Sequence, residues 1–234
     1  MLKHFKLIAF SWAPSSVHFL HMYYYILFGL LTLLFIWAIG SYLVIRNLEE
    51  PSYTVLEKRN GYEIRRYDPF IVAETNVSGD YSTALREGFR IIADYIFGNN
   101  TTKTSISMTT PVLENKSESI AMTVPVVNTL ESEQMRTISF VLPSTYTLET
   151  LPTPNNPKVT LTEVPSKTVA VLRFSWYATE SRVASKQALL EERIAADGLT
   201  IDGYVQVAQY NPPFSMPLTR RNEIIIPIKD FILE

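Results

Sequence analysis

Two methionines stand at matched places in this chain. Residues 106–112 read Ile-Ser-Met-Thr-Thr-Pro-Val and residues 120–126 read Ile-Ala-Met-Thr-Val-Pro-Val, with seven residues between. A thioether is a soft ligand, so a Met pair suits a soft metal ion; the same repeat also suits two adjacent strands that pack alike. Alternation puts Ile106, Met108, Thr110 and Val112 on one face, and likewise Ile120, Met122, Val124 and Val126. Pro111 and Pro125 cannot donate to a ladder, so a bulge or a sheet edge is expected there. The packing reading is preferred, with Met108 and Met122 filling a core as flexible thioethers.

Other residues able to do chemistry are scarce. The chain has no Cys, which excludes disulfides, thiolate zinc sites and Cys-held clusters, and its three His (His4, His18 and His21) all fall in the first 21 residues. There is no Gly-x-Ser-x-Gly elbow, phosphate loop, His-Glu-x-x-His or Gly-x-Gly-x-x-Gly. Glu57, Glu63, Glu74 and Glu163 are scattered along strand-like runs and form no acid–base pair, so a binding protein is expected rather than an enzyme. A net charge of −2 over 234 residues gives nucleic acid no electrostatic hold.

The elements that position these residues begin with an apolar run. Ile26 to Ile45 carries no charge over 20 residues, enough to cross about 30 Å of hydrocarbon at 1.5 Å per residue. Tyr23, Tyr24 and Tyr25 lie at one end, Trp37 and Tyr42 toward the other, and Arg46 stops the run, as aromatic anchoring requires. The expected organisation is a tail over 1–21, a single-pass transmembrane helix over 22–46 and a polar linker over 47–52. A cleaved signal peptide, with Ala38-Ile39-Gly40 as the small-residue site, is the rival. Basic residues flank both ends, so the side on which the rest of the chain lies is open.

From residue 53 the pattern becomes that of a soluble α+β domain. Tyr53–Glu57 and Tyr62–Tyr67 read as strands joined at Asn60-Gly61, and Phe70–Val77 reads as a third. A helix capped by Asp80 or Ser82 then runs to about Phe97. Leu85, Phe89, Ile92 and Ile96 are expected to face the sheet, while a second stripe, Ala84, Gly88, Ile91 and Tyr95, is a candidate groove wall for a flat apolar ligand; Arg86, Glu87, Arg90 and Asp94 form the wet face. After strand Thr137–Leu142 and a Pro-rich loop the order recurs: Val159–Val164 parallels Thr54–Arg59, and Thr168–Phe174 parallels Tyr62–Tyr67. A helix from Thr179 or Ser181 to Asp197-Gly198 and strands Tyr204–Tyr210 and Glu223–Ile228 follow. Two units, about 53–142 and 158–230, are expected to close one curved antiparallel sheet with two helices outside.

Four stretches carry a family resemblance: Gly61-Tyr-Glu-Ile-Arg-Arg-Tyr-Asp-Pro-Phe-Ile-Val-Ala-Glu-Thr75, Ala84-Leu-Arg-Glu87, Ile120-Ala-Met-Thr-Val-Pro-Val126, and Tyr210-Asn-Pro-Pro-Phe214 through Arg220-Arg-Asn-Glu223. In this order they resemble the SOUL haem-binding family over about residues 51–230. The resemblance implies a distorted antiparallel β-barrel with two helices and pseudo-twofold symmetry, related to gyrase-inhibitor-like effector-binding domains. It also implies weak, reversible, non-covalent binding of haem or another tetrapyrrole in an apolar cleft between the first domain helix and the loop joining the last two strands. The corresponding positions are Ala84, Gly88, Ile91, Ile92 and Tyr95 on the helix, and Pro212, Pro213, Phe214, Met216 and Leu218 on the loop. Arg86, Arg90, Arg220 and Arg221 would meet the propionates.

Iron ligation departs from common haem practice, because residues 46–234 hold neither His nor Cys. Tyr95, Tyr210 and Met216 remain as possible ligands, and a grip on the ring rather than on the iron is expected. The alternative is that the fold serves a non-haem effector or a protein partner.

Overall fold

The computed structural model describes residues 15–46, 48–116, 135–229 and 231. A long helix, α1 (Ser15–Ile45), precedes a domain built in the order β1 (Tyr53–Arg59), β2 (Tyr62–Tyr67), β3 (Phe70–Ser78), α2 (Tyr81–Ile96), β4 (Val112–Lys116), β5 (Met135–Val141), β6 (Thr160–Val164), β7 (Lys167–Phe174), α3 (Glu180–Ala196), β8 (Gln206–Gln209) and β9 (Asn222–Pro227). Within α1, the 25 residues Leu20–Val44 are long and apolar enough to cross a membrane. Their side chains are almost all exposed, so α1 is not a helix buried in the domain core.

The nine strands among the described residues form one curled antiparallel sheet in the order β1-β2-β7-β9-β8-β4-β5-β3-β6. Its end strands, β1 and β6, do not pair with each other, so it is an open half-barrel. The order is nearly palindromic about the β8–β4 pair. Outward from that pair run β4-β5-β3-β6 on one side and β8-β9-β7-β2 on the other. Each half is thus a strand, a helix and two strands, β3-α2-β4-β5 and β7-α3-β8-β9. The strand preceding each half crosses over: β2 pairs with β7, and β6 with β3. The internal correspondence therefore shifts by one strand from that expected, since β7 takes the place of β3 rather than of β2. Helix position decides this: α2 follows β3 and α3 follows β7, and each helix rests on the strand it follows.

Side-chain alternation divides the core into layers. On one face α2 rests on β3 and β5, burying Ala84, Ile92, Tyr95 and Ile96 against Ala73, Ile138 and Phe140. On the same face α3 rests on β7 and β9, burying Val183, Leu190 and Ile194 against Leu172, Ile224 and Ile226. The opposite face carries Tyr67, Val72, Val169, Val171, Tyr210 and Ile225. Ile225 lies between Ile224 and Ile226 in sequence and on the other side of the sheet, as period two demands.

The first methionine heptad is not a strand. Residues 106–111 are irregular and β4 begins only at Val112. Ile106 is buried, while Met108 is only half-buried and so is not a core residue. Hydrogen bonds from the Thr109 hydroxyl to the Val141 carbonyl and from the Thr110 amide to the Glu49 carbonyl hold the segment instead. The Thr110 amide is taken by Glu49 and Pro111 has none, which leaves no continuous run of ladder donors. The second heptad, with Met122, lies outside the described residues.

Candidate functional site

The helical side of the site starts at a cap. Asp80 accepts hydrogen bonds from the amides of Ser82 and Thr83 and from both their hydroxyls at 2.8–2.9 Å, and these bonds hold its carboxyl well below the usual range. With its start fixed there, α2 presents Ala84, Gly88, Ile91, Ile92 and Tyr95 to the sheet, all buried. Gly88 has the closest approach: a Cβ there would stand 2.5 Å from Ile138 Cγ1. The stripe expected to wall a groove is therefore packed into the domain's own core.

The neighbouring stripe divides. Ile92 and Ile96 are buried, Leu85 is half-buried between the two core clusters, and Phe89 is 40% exposed with its ring tilted on Phe140 at 5.2 Å between centroids. Relative to the expected orientation the buried face is turned by less than one residue step, roughly 65°, so Ile92 and Ile96 stay buried while Leu85 and Phe89 swing outward. Leu85 and Phe89 become the apolar flank beside the strands β4 and β8, which lie between those covered by the two helices. Arg86 is exposed next to that flank. Arg90 lies further round, and with Ile91 it lines an open polar hollow of about 320 Å³ shared with Glu87, Asp94, Asn156 and Lys158. Sequence spacing could not separate these stripes, because positions i and i+1 on a helix obey the same periodicity.

The loop between β8 and β9 is tied elsewhere. Residues 212–220 hold Pro212, Pro213 and Pro217, with a single 3-10 turn at Pro217–Thr219. Met216 is half-buried, and Phe214 and Leu218 are each 63% exposed. Arg220 donates to the carbonyls of Ser215 and Pro213 and stacks on Tyr177, its guanidinium carbon 4.4 Å from the ring centroid. Arg221 donates to Glu50 at 2.8 Å and Glu223 at 2.9 Å, 3.9 Å above the Tyr210 ring. Both cations thus have internal partners. Trp176 and Tyr177 join the loop as unforeseen neighbours, through the Trp176 amide and the Pro217 carbonyl at 3.0 Å.

Iron ligation by the two tyrosines is opposed by their surroundings. The Tyr95 hydroxyl donates to the Pro152 carbonyl at 2.9 Å, and burial pushes its pKa up to about 12. The Tyr210 hydroxyl donates to the fully buried Glu223 at 2.7 Å, and burial raises it further. A phenolate ligand at neutral pH would have to give up both its hydrogen bond and its proton.

Two other hollows fit a porphyrin poorly. One of about 320 Å³ is lined by Glu49, Glu50, Asp68, Glu149 and Glu163 and would repel propionates. The other, on the far face of the sheet beside Tyr67, Phe70, Leu113 and Ile225, has about 40 Å³, far below the roughly 300 Å³ at which ligand pockets begin.

Comparisons with known proteins agree on family and fold. The family profile described as SOUL heme-binding protein matches residues 48–227. Heme-binding protein 1 of Xenopus laevis is 28% identical over 164 residues, covering 70% of this chain and 81% of that one. The crystal structure of the EcmrR C-terminal domain superposes with a TM-score of 0.55 at 10% identity, covering 76% of this chain and 99% of that one. A cryo-EM structure of the EcmrR–DNA complex gives 0.52 at 11% identity, covering 92% and 72%. At such identities the structural likeness speaks for the fold.

Proposed function

We propose, from the premise that this chain belongs to the SOUL heme-binding protein family, that it binds haem or another tetrapyrrole reversibly while anchored by α1 in a membrane, gripping the ring without a His ligand. The observation that carries the reading is Phe89, a large aromatic left 40% exposed on α2 and steadied on Phe140. Leu85 extends that apolar flank by one helical turn, and exposed Arg86 stands beside it to meet a propionate. Pro212, Pro213 and Met216 of the β8–β9 loop are the proposed opposite wall.

A porphyrin is a flat apolar plate with two carboxylates at one edge, so exposed apolar flank and exposed Arg are complementary to it. Bound haem would bring its iron; the chain's part is to hold the ring. Burial of ring surface then supplies the affinity, and loss of the iron changes it little. The anchor places the domain where tetrapyrroles partition. The reading is one of carriage or buffering rather than catalysis, in keeping with a family described as heme-binding.

The test is a titration of the full chain in lipid nanodiscs with haemin and, separately, with protoporphyrin IX, followed by absorbance and tryptophan quenching. Saturable one-to-one binding of both is expected, with affinities within about tenfold, and Phe89→Asp should weaken both by at least about tenfold, or 1.4 kcal/mol. Circular dichroism checks that the exposed substitution leaves the fold intact. Unsaturable uptake, insensitivity to Phe89→Asp, or binding of haemin alone would overturn the proposal.

A further inference from the structure

The β8–β9 loop is built like a segment that enters lipid, although it belongs to the domain. Most of its backbone polar groups find partners within the protein. Three prolines remove donors. The Ser215 amide donates to the Pro212 carbonyl, that of Thr219 to Met216, and that of Arg220 to Pro217. Arg220 satisfies the Ser215 and Pro213 carbonyls. Two further bonds reach α1: Trp37 Nε1 donates to the Phe214 carbonyl at 2.9 Å, and the Met216 amide donates to Ser41 Oγ at 2.9 Å. Internal satisfaction of the backbone is what hydrocarbon requires and what water does not. The large exposed side chains are apolar or amphipathic: Phe214 and Leu218, with Trp176 and Tyr177 beside them at 40% and 44% exposure.

Depth along α1 fixes where this loop lies. A bilayer core takes about 20 helical residues, and Leu20–Val44 offers 25. Even if all five surplus residues stand outside the hydrocarbon at the domain end, the boundary falls at Ile39, beyond Trp37. The Phe214 carbonyl bonded to Trp37 is then at or below the boundary.

We infer that Phe214 and Leu218, flanked by Trp176 and Tyr177, dock the domain into the interfacial layer of the same bilayer that α1 crosses. The inference rests on the membrane reading of α1 given above. It assigns Phe214 and Leu218 to lipid rather than to the tetrapyrrole, leaving Pro212, Pro213 and Met216 as the loop wall, so that this wall opens at the bilayer surface. Trp and Tyr suit this depth, with an apolar body and a polar tip.

Because the chain has no Cys, a single introduced Cys gives one labelling position. Full-length Leu218→Cys, Leu31→Cys and Asn60→Cys, each carrying an environment-sensitive fluorophore, would be reconstituted in phosphatidylcholine–phosphatidylglycerol vesicles with spin-labelled lipids or with aqueous iodide. Asn60 lies beside the carboxy-terminal end of α3, roughly one helix length, about 25 Å, from Tyr177. Leu218 is expected to be blue-shifted, quenched by shallow spin-labelled lipid and shielded severalfold from iodide; Leu31 should be quenched by deep lipid, and Asn60 only by iodide. A Leu218 probe as open to iodide as that at Asn60, with Leu31 still in lipid, overturns the docking and leaves the anchor standing. A Leu31 probe open to iodide overturns both.

Discussion

At the scale of single residues, the chemistry of this domain is set by what burial does to hydroxyls and charges. Tyr62 and Tyr95 both have pKa values of about 12, raised first by burial; for Tyr62 the next cause is its hydrogen bond to Asp197, for Tyr95 the nearby Tyr146 phenol. In the unfolded chain both return to about 10. A raised folded value means a contribution to stability that is complete below about pH 10 and is lost as pH rises through about 12. Alkaline titration by phenolate absorbance should show these two ionising in a late phase near pH 12, and prior unfolding in urea should abolish that phase. Ionisation of all thirteen tyrosines in one ordinary step would contradict the burial argument.

At the scale of elements, α2 shows how a helix can be recognised while its rotation is not. Asp80 and the apolar spacing were enough to expect a helix over about 80–97. Which of two adjacent stripes faces inward depends on which fits the sheet, and Gly88 decides it: only a residue without Cβ allows the backbone so near Ile138. Gly88→Ala gains helix propensity of about 1 kcal/mol but drives a methyl into a β-branched side chain. We expect a net loss of about 1–2 kcal/mol, read as a lower urea midpoint with unchanged slope. A gain in stability would mean that α2 shifts freely on the sheet, and that Phe89 has no fixed place.

At the scale of the whole molecule, one buried network joins distant parts of the chain. Glu223 is fully buried and accepts from Arg65 at 3.1 Å, Arg221 at 2.9 Å and Tyr210 at 2.7 Å. Arg65 also bonds Glu63, and Arg221 reaches Glu50 in the linker that follows α1. The network therefore couples β2, β9 and the start of the β8–β9 loop to the linker that follows α1. Glu223→Ala would leave two cations inside the fold without their shared anion, which typically costs about 3–5 kcal/mol. Chemical denaturation should show that loss, and limited proteolysis should find the 47–52 linker more readily cut. A change under 1 kcal/mol would mean that water enters the site and screens both cations.

Read alone, the residue order determined much of this. The apolar run at 26–45, the Asn-Gly turn, the helix caps and strand alternation were all legible, because each is a local consequence of backbone sterics and of side-chain period. The four motif stretches were enough to expect the family and the curled α+β sheet. The absence of His and Cys from residues 46–234 already favoured a grip on the ring over one on the iron. Tertiary structure decided the rest: the strand exchange that pairs β2 with β7, the rotation that exposes Phe89 and hides Ile91, the irregular path of the first methionine heptad, and the bonds from Trp37 and Ser41 to a loop more than 170 residues away. Those outcomes depend on which surfaces fit one another across the chain. Periodicity records that a side chain is apolar, but only packing determines whether it is covered by the protein, by a ligand or by lipid.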